Sequence, residues 1–449
     1  MEITYLFISI VIALLYIIIK YKRRRKSDFI LPSTIFMLMW AAAMVASVIT
    51  QTNNLDPFGF DYEVTTQYIF KFIVVSLLAF LISGEVVPNR TKYLKFEIGY
   101  IEHLLNKFRI FIYLSFILGL VRIFLIISLF GWNSLYDYRQ SAFLIFKLES
   151  AKSYAIISQV SSYVYILATF FIVLLSIKHA LTRINTREMI VYFLLFSAQA
   201  MSIGGRMFVI DFISCYFFIF ILIRTQNKNL FEKKEILPFI TSLAILISIV
   251  MVVGVIRNDN DKSSKEITND TYYTKLLYLQ DGIAYTTILF NKIPEQTRNL
   301  DLGKNITSID RENTSLNEFR NRTDMIKYLP LVTGIIPYIY FDFGYWGSLI
   351  MWFLICLLVE SISKRMLNKG TVFGILLVFV FIRFFYDTPL MVSSGRGFFR
   401  YLIVLLIVYS LSDKYFMSYR TWKQRFSPKK GQINKLPLKK NSIETNFSS

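Results

Sequence analysis

About eleven stretches of this chain are apolar for long enough to cross a bilayer as helix. Crossing ~30 Å of hydrocarbon takes roughly 20 such residues. Spans are predicted near residues 3–20, 29–49, 66–87, 110–130, 154–177, 189–203, 207–223, 238–256, 337–359, 371–391 and 398–413. Of the 449 residues, 55% are hydrophobic and only 18% charged, more apolar surface than one soluble core could hide. The fold class is therefore an all-α polytopic membrane protein. It divides into eight spans over 1–256, a large loop over 257–336, three spans over 337–413 and a basic tail over 414–449.

The connectors sort by charge. Segments 20–28, 84–109, 178–188, 224–235 and 364–370 are rich in Lys and Arg, whereas 50–65 has neither. Positive connectors stay in the cytoplasm, so the N-terminus is expected outside and the C-terminal tail inside. The order at the N-terminus, an apolar run followed by Lys20 to Lys26, is the reverse of a cleaved secretory signal. The net charge of +20 sits mostly in these clusters and in the tail, where Lys414 to Lys440 holds nine Lys/Arg and no acid. That placement disfavours nucleic acid as a partner.

Two features depart from this regularity. Spans six and seven are short and meet at Gly204-Gly205-Arg206, which places Arg206 at a recessed outer tip. The connector from Arg257 to Pro330 holds eleven Lys/Arg and eleven Asp/Glu, and loops of that length cross regardless of charge. Within it, Leu276, Leu279, Ile283 and Phe290 recur at helical spacing, predicting an amphipathic helix on the outer face.

Several chemistries lack their residues. There is no Walker loop, no HExxH, no dinucleotide fingerprint and no Cys/His metal spacing, so no metal and no cofactor is expected. Cys215 and Cys356 lie in apolar runs, and His103 and His179 fall in cytoplasmic connectors.

What remains is arginine and carboxylate. Charges inside a membrane are costly and suggest function. Arg122 lies ~20 Å along span four from Arg109, and Arg383 reaches a similar depth in span ten. Asp387 follows Arg383 at the spacing of one helix face, for function or simply to neutralise it. Asp342 opens span nine, where helix capping competes with a catalytic role. Arg139, Arg206, Arg257, Arg396 and Arg400 stand near outer span ends. Short outer loops usually shed positive charge, so arginines at this rim call for an anion. Guanidinium holds phosphate oxygens bidentately and stays charged. A polyprenyl pyrophosphate fits, its tail in lipid and its diphosphate among cations.

With the Gly204-Gly205-Arg206 turn and with Asp342-Phe343-Gly344-Tyr345-Trp346-Gly347 after the large loop, the chain resembles the oligosaccharide repeat-unit polymerases of O-antigen type. The resemblance implies the all-helical fold of lipid-dependent C-superfamily glycosyltransferases, in the bacterial cytoplasmic membrane. It implies metal-independent transfer of a growing glycan from undecaprenyl pyrophosphate onto an incoming lipid-linked repeat unit, beside a chain-length regulator and a flippase. Arg206, Arg257 and Arg396 would clamp the donor pyrophosphate, with Arg139 and Arg400 at the same rim. Arg122 and Arg383 would hold the deeper phosphate, and Asp342 or Asp387 would take the acceptor proton. Tyr338 and Tyr340 would stack on sugars or serve as interfacial anchors. The related O-antigen ligases use an outer-face histidine, which this chain lacks. A flippase of the same lipid-linked glycan is the rival; it should carry midplane charges in both halves and internal symmetry.

Overall fold

In the computed structural model the described residues are 2–22, 31–52, 62–87, 96–130, 152–201, 212, 214–226, 283, 286–287, 290, 302, 304, 335–389 and 394–415. Among them every regular element is helical. The order is α1 (Glu2–Lys22), α2 (Pro32–Thr52), α3 (Glu63–Val86), α4 (Ile98–Phe130), α5 (Lys152–Leu181) and α6 (Thr186–Met201). A π-helical turn (Ser214–Phe218) then runs into α7 (Ile219–Gln226), followed by α8 (Ile335–Lys369), α9 (Val372–Asp387) and α10 (Ser394–Tyr415). A helix satisfies its own backbone groups, which hydrocarbon demands. Among the described residues six helices are long and apolar enough to cross a membrane: α1 to α5 and α8. Their outward faces carry Phe7, Leu15, Phe124, Ile156 and Leu358, side chains that suit lipid rather than water. The protein is an integral membrane protein. The anticipated span near 238–256 lies outside the described residues, and each of the others overlaps one of these helices.

Two apolar clusters meet along α9. Phe170, Phe171, Phe212 and Tyr216 belong to a cluster of α4, α5, α6, α7 and α10. Phe36, Trp40, Phe72 and Trp352 belong to a cluster of α1, α2, α3 and α8. Helix α9 turns Val378, Phe379 and Ile382 to the first and Phe381, Phe384 and Phe385 to the second. It is apolar on nearly all sides because it lies between them.

Hydrogen bonds set the register of α3 against α8, which run parallel. Tyr68 meets Ser348 at 2.6 Å, Trp352 Nε1 donates to Ser76 at 2.9 Å, and Ser361 donates to Ser83 at 3.2 Å. Near the last pair, the start of α2 is held by a buried acid. The Ser33 N–H and hydroxyl donate to Glu360 at 3.2 and 2.8 Å, and Lys364 Nζ lies 3.7 Å from the same carboxylate. Glu360 thereby satisfies one of the amide protons that a helix start leaves unbonded.

Helix α8 is two helices joined at Gly344, whose φ of 68° and ψ of −171° suit only glycine. The first piece begins deep. Ile335 N–H donates to the Thr388 carbonyl at 2.9 Å, and Thr388 Oγ1 accepts from Trp40 Nε1 at 3.1 Å. Trp40 packs on Phe72, one turn below Tyr68 along α3, while Tyr340 packs on Tyr68 itself. The first piece therefore climbs from the depth of Trp40 toward the rim, and after Gly344 the second piece crosses. This differs from the expectation that Asp342 opens the span: α8 starts at Ile335, and Asp342 is wholly buried two residues before the break. Its carbonyl accepts the Leu302 N–H at 3.2 Å. Replacing Gly344 by Ala puts a Cβ into glycine-only backbone at a cost of about 1–3 kcal/mol. A lower thermal midpoint in detergent is expected, and an unchanged midpoint contradicts the strained break.

The amphipathic stretch of the large loop is described only at residues 283, 286, 287 and 290, all helical. Ile283 joins the α1–α2–α3–α8 cluster, and the Phe290 ring lies 4.9 Å from Tyr340 and 5.3 Å from Tyr68. Ile283 and Phe290 thus pack onto the helix bundle.

Candidate active site

Helix α9 stops short. Thr371 caps its start, accepting the Gly374 N–H at 3.1 Å after the α8–α9 turn at Gly370. From the helix ends at that turn Asp387 rises roughly 23 Å, whereas Tyr345 of the neighbouring α8 rises roughly 36 Å. The end of α9 is therefore recessed about 13 Å below the rim, with the first piece of α8 above it.

At this recessed end sit the two charged residues of α9. Arg383 Nε lies 3.8 Å from Asp387 Oδ2, and the side chains are only 15% and 6% exposed. The guanidinium carbon lies 4.8 Å from the centre of the Tyr401 ring on α10, a cation–π contact. Tyr401 in turn meets Thr169 of α5 at 3.2 Å. Thr388, next in the chain, bonds Trp40 of α2 and Ile335 of α8. Five helices thus meet around this end of α9. Two opposite charges removed from water need each other, and neither would be tolerated there alone. At 3.8 Å the contact is longer than the 2.7–2.9 Å of a close charge-assisted bond. Such a pair can offer a cation to an anion and a carboxylate to a proton.

The other expected residues are scattered over the bundle. Asp342 sits on the first piece of α8, about 10 Å of helix rise from the Ile335–Thr388 bond. Arg400 precedes Tyr401 and is half-buried; Arg396 lies in the first turn of α10. Arg122 is 4% exposed on α4, which packs against α5 and α6. Tyr338 and Tyr340 are buried, the latter edge-on to Phe290. Arg139, Arg206 and Arg257 lie outside the described residues.

Several polar residues of the bundle are not among those singled out by spacing and charge. Lys71 of α3 donates to the Tyr345 hydroxyl at 2.9 Å, and Glu360 and Lys364 form the buried pair beside Ser33. For Lys71 a signal exists in the sequence: an ammonium inside an apolar run is costly and so informative. Thr388 and Tyr401 carry none, since a lone hydroxyl in a span is ordinary.

A second polar cluster lies roughly 15 Å along α5 from Thr169. His179 Nδ1 is 2.6 Å from the Tyr216 hydroxyl in the π-helical turn, and its Nε2 is 3.1 Å from Glu188. Lys178 bonds both Glu188 oxygens at 3.0 Å. The His179 hydrogen bond, then Lys178, pull the Glu188 carboxyl down to about 2 against a smaller opposing push from burial. A carboxylate depressed in the fold binds fewer protons there than in the unfolded chain, so its contribution is present above the ordinary 4.5. It is lost as pH falls from that value through about 2. Thermal midpoints measured between pH 7 and 3 should fall in the lower part of that range. Glu188→Gln should flatten the fall, and an equally steep fall in that variant contradicts the assignment.

Among the described residues no group of three or more His, Cys, Asp or Glu side chains could hold a metal ion. No curated protein and no solved structure matches the chain. The sequence model of one family, O-antigen polysaccharide polymerase Wzy, matches residues 2–321, from α1 through most of the large loop. Helices α8 to α10, with Arg383 and Asp387, follow the matched stretch. Since the match takes in well over half of the chain, this protein belongs to the O-antigen polysaccharide polymerase Wzy family, enzymes that join O-antigen repeat units.

Proposed function

We propose that the protein transfers the growing glycan from undecaprenyl pyrophosphate to a sugar hydroxyl of an incoming lipid-linked repeat unit, on the outer side of the cytoplasmic membrane. The bond between the anomeric carbon and the diphosphate oxygen breaks, and a bond from that carbon to the acceptor oxygen forms. Undecaprenyl diphosphate leaves with the electron pair, and the acceptor proton passes to a carboxylate. Arg383 meets the leaving diphosphate, where negative charge grows as the bond breaks. As the guanidinium turns to phosphate, Asp387 becomes the base that accepts the acceptor proton. Asp342, on the piece of α8 bonded to Thr388, orders the roof over the pair. Arg396 and Arg400 at the start of α10, with Arg122, Arg139, Arg206 and Arg257, supply further cations to the phosphates. These residues include no metal ligand set, and the transfer balances without a cofactor.

The observation that carries this reading is the Arg383–Asp387 pair, buried at the end of a helix that stops about 13 Å short of the rim. A lipid-borne substrate can bring its diphosphate to that depth while its glycan stays in water.

The test is made in the host cell. Deleting the gene should leave surface glycan of single repeat units, and restoring the full chain should return a ladder of lengths. A ladder that persists after deletion contradicts the proposal.

A further inference from the structure

The rim above the buried pair carries an array that the glycosyl transfer leaves unused. Trp346, just past the Gly344 break, is 66% exposed and tops an outward face of α8 that continues through Ile350, 63% exposed, and Leu358. Its ring is held from two sides. Tyr345 stands against it at 5.2 Å and 70°, and Lys71 Nζ lies 5.3 Å from its centre. Tyr345 is itself fixed, since its hydroxyl accepts from Lys71 at 2.9 Å and its carbonyl accepts the Ser348 hydroxyl at 2.7 Å. On α3, Gln67 and Glu63 precede Lys71 at successive helical turns, so the three share one face, and the Gln67 amide donates to Glu63 at 3.3 Å. An indole face, an ammonium, an amide and a carboxylate thus line one edge of the α3–α8 pair.

We propose that this edge is a carbohydrate subsite, formed by Glu63, Gln67, Lys71, Tyr345 and Trp346, that holds the glycan of the acceptor repeat unit. The proposal rests on the polymerase reading and adds where the sugar sits. The Lys71 ammonium has three donors, of which the Tyr345 hydroxyl takes one, so the others are served by water or a polar ligand at this edge. Diphosphate is disfavoured because Glu63 would repel it, whereas sugar hydroxyls use donors and acceptors together. The exposed indole offers a flat apolar face to the C–H side of a pyranose ring, the role aromatic residues fill when one face is apolar and the edge is wet. The subsite stands about 13 Å above the level of Asp387, within reach of a short oligosaccharide whose reacting hydroxyl points down.

Two measurements on the full chain in proteoliposomes separate this proposal from the reading beneath it. The first is saturation-transfer NMR with soluble oligosaccharide released by hydrolysis of the host's own surface glycan. Signal transfer is expected with wild type and with Asp387→Asn, lost in Trp346→Leu and regained in Trp346→Tyr. The second titrates lipid-linked repeat units extracted from cells lacking the polymerase. Trp346→Leu should raise the half-saturating concentration about tenfold, with the maximal rate within about twofold. Trp346→Tyr should recover most of that shift. No transfer to wild type, or equal transfer to Trp346→Leu, overturns the subsite whatever the polymerase assay shows. Transfer to wild type without polymer formation overturns the polymerase reading while leaving the sugar site standing.

Discussion

Arg383→Lys is expected to cut polymer formation by roughly 10²–10³-fold in a protein that still folds. Lysine keeps the positive charge and its attraction to Asp387, so the pair that joins the two clusters survives in outline. What it loses is the planar fork of guanidinium donors, which suits two phosphate oxygens at once. Arg383→Ala is a weaker test. It leaves Asp387 buried without its cation, and breaking such a pair costs about 3–5 kcal/mol, so lost activity would partly report lost structure. The informative comparison is therefore Arg383→Lys against wild type at equal amounts of folded protein, scored by glycan length. Asp387→Asn should likewise remove activity, because an amide cannot take up the acceptor proton. A full ladder from Arg383→Lys would show that charge alone suffices and would remove the bidentate clamp.

Much of the fold and part of the site are legible in the amino-acid sequence. The apolar runs announce the helices because their signal is long and local: each run needs only its own residues to satisfy the backbone. The Arg383–Asp387 pair is legible for the same reason, since its spacing lies within one turn of one helix. What involves contact between distant segments is not. Helix α8 reads as a single span opening at Asp342, and only the backbone at Gly344 divides it. The run Tyr340-Phe341-Asp342-Phe343 reads as the entrance to a span, yet it packs under the rim because Ile335 is tied to Thr388. The recess above α9 likewise depends on the unequal lengths of two helices and on what covers the shorter one. Lys71 is a different case. Its cost inside an apolar run is visible, but Tyr345, its partner, lies in a helix far along the chain.

Lys364→Met is expected to lower stability by about 3–5 kcal/mol, the largest structural effect foreseen for a single substitution. Glu360 is wholly buried at the start of α2, and its carboxylate takes two hydrogen bonds from Ser33. Removing Lys364 strips away the ammonium that lies 3.7 Å from it, on the same face of α8. The pair is therefore best tested as a cycle. Replacing both residues, as Glu360→Gln with Lys364→Met, removes charge and counter-charge together and should recover most of the loss, because the amide still accepts from Ser33. Thermal unfolding in one detergent at one pH gives the comparison. If the double variant is no more stable than Lys364→Met, the two charges are not compensating each other. Ser361 meets Ser83 close by, so an unfolding lesion here would loosen the register of α3 against α8 and move Tyr345 and Trp346 at the other end.

The most direct measurement uses full-length protein in proteoliposomes, supplied only with undecaprenyl-pyrophosphate-linked repeat units, a chelator and no ATP. The expected result is a ladder of glycans still attached to the lipid, with undecaprenyl diphosphate released at each step and no ladder from Asp387→Asn. Repeat units that stay single with wild type, or a ladder of equal length from Asp387→Asn, would contradict transfer at the buried arginine–aspartate pair.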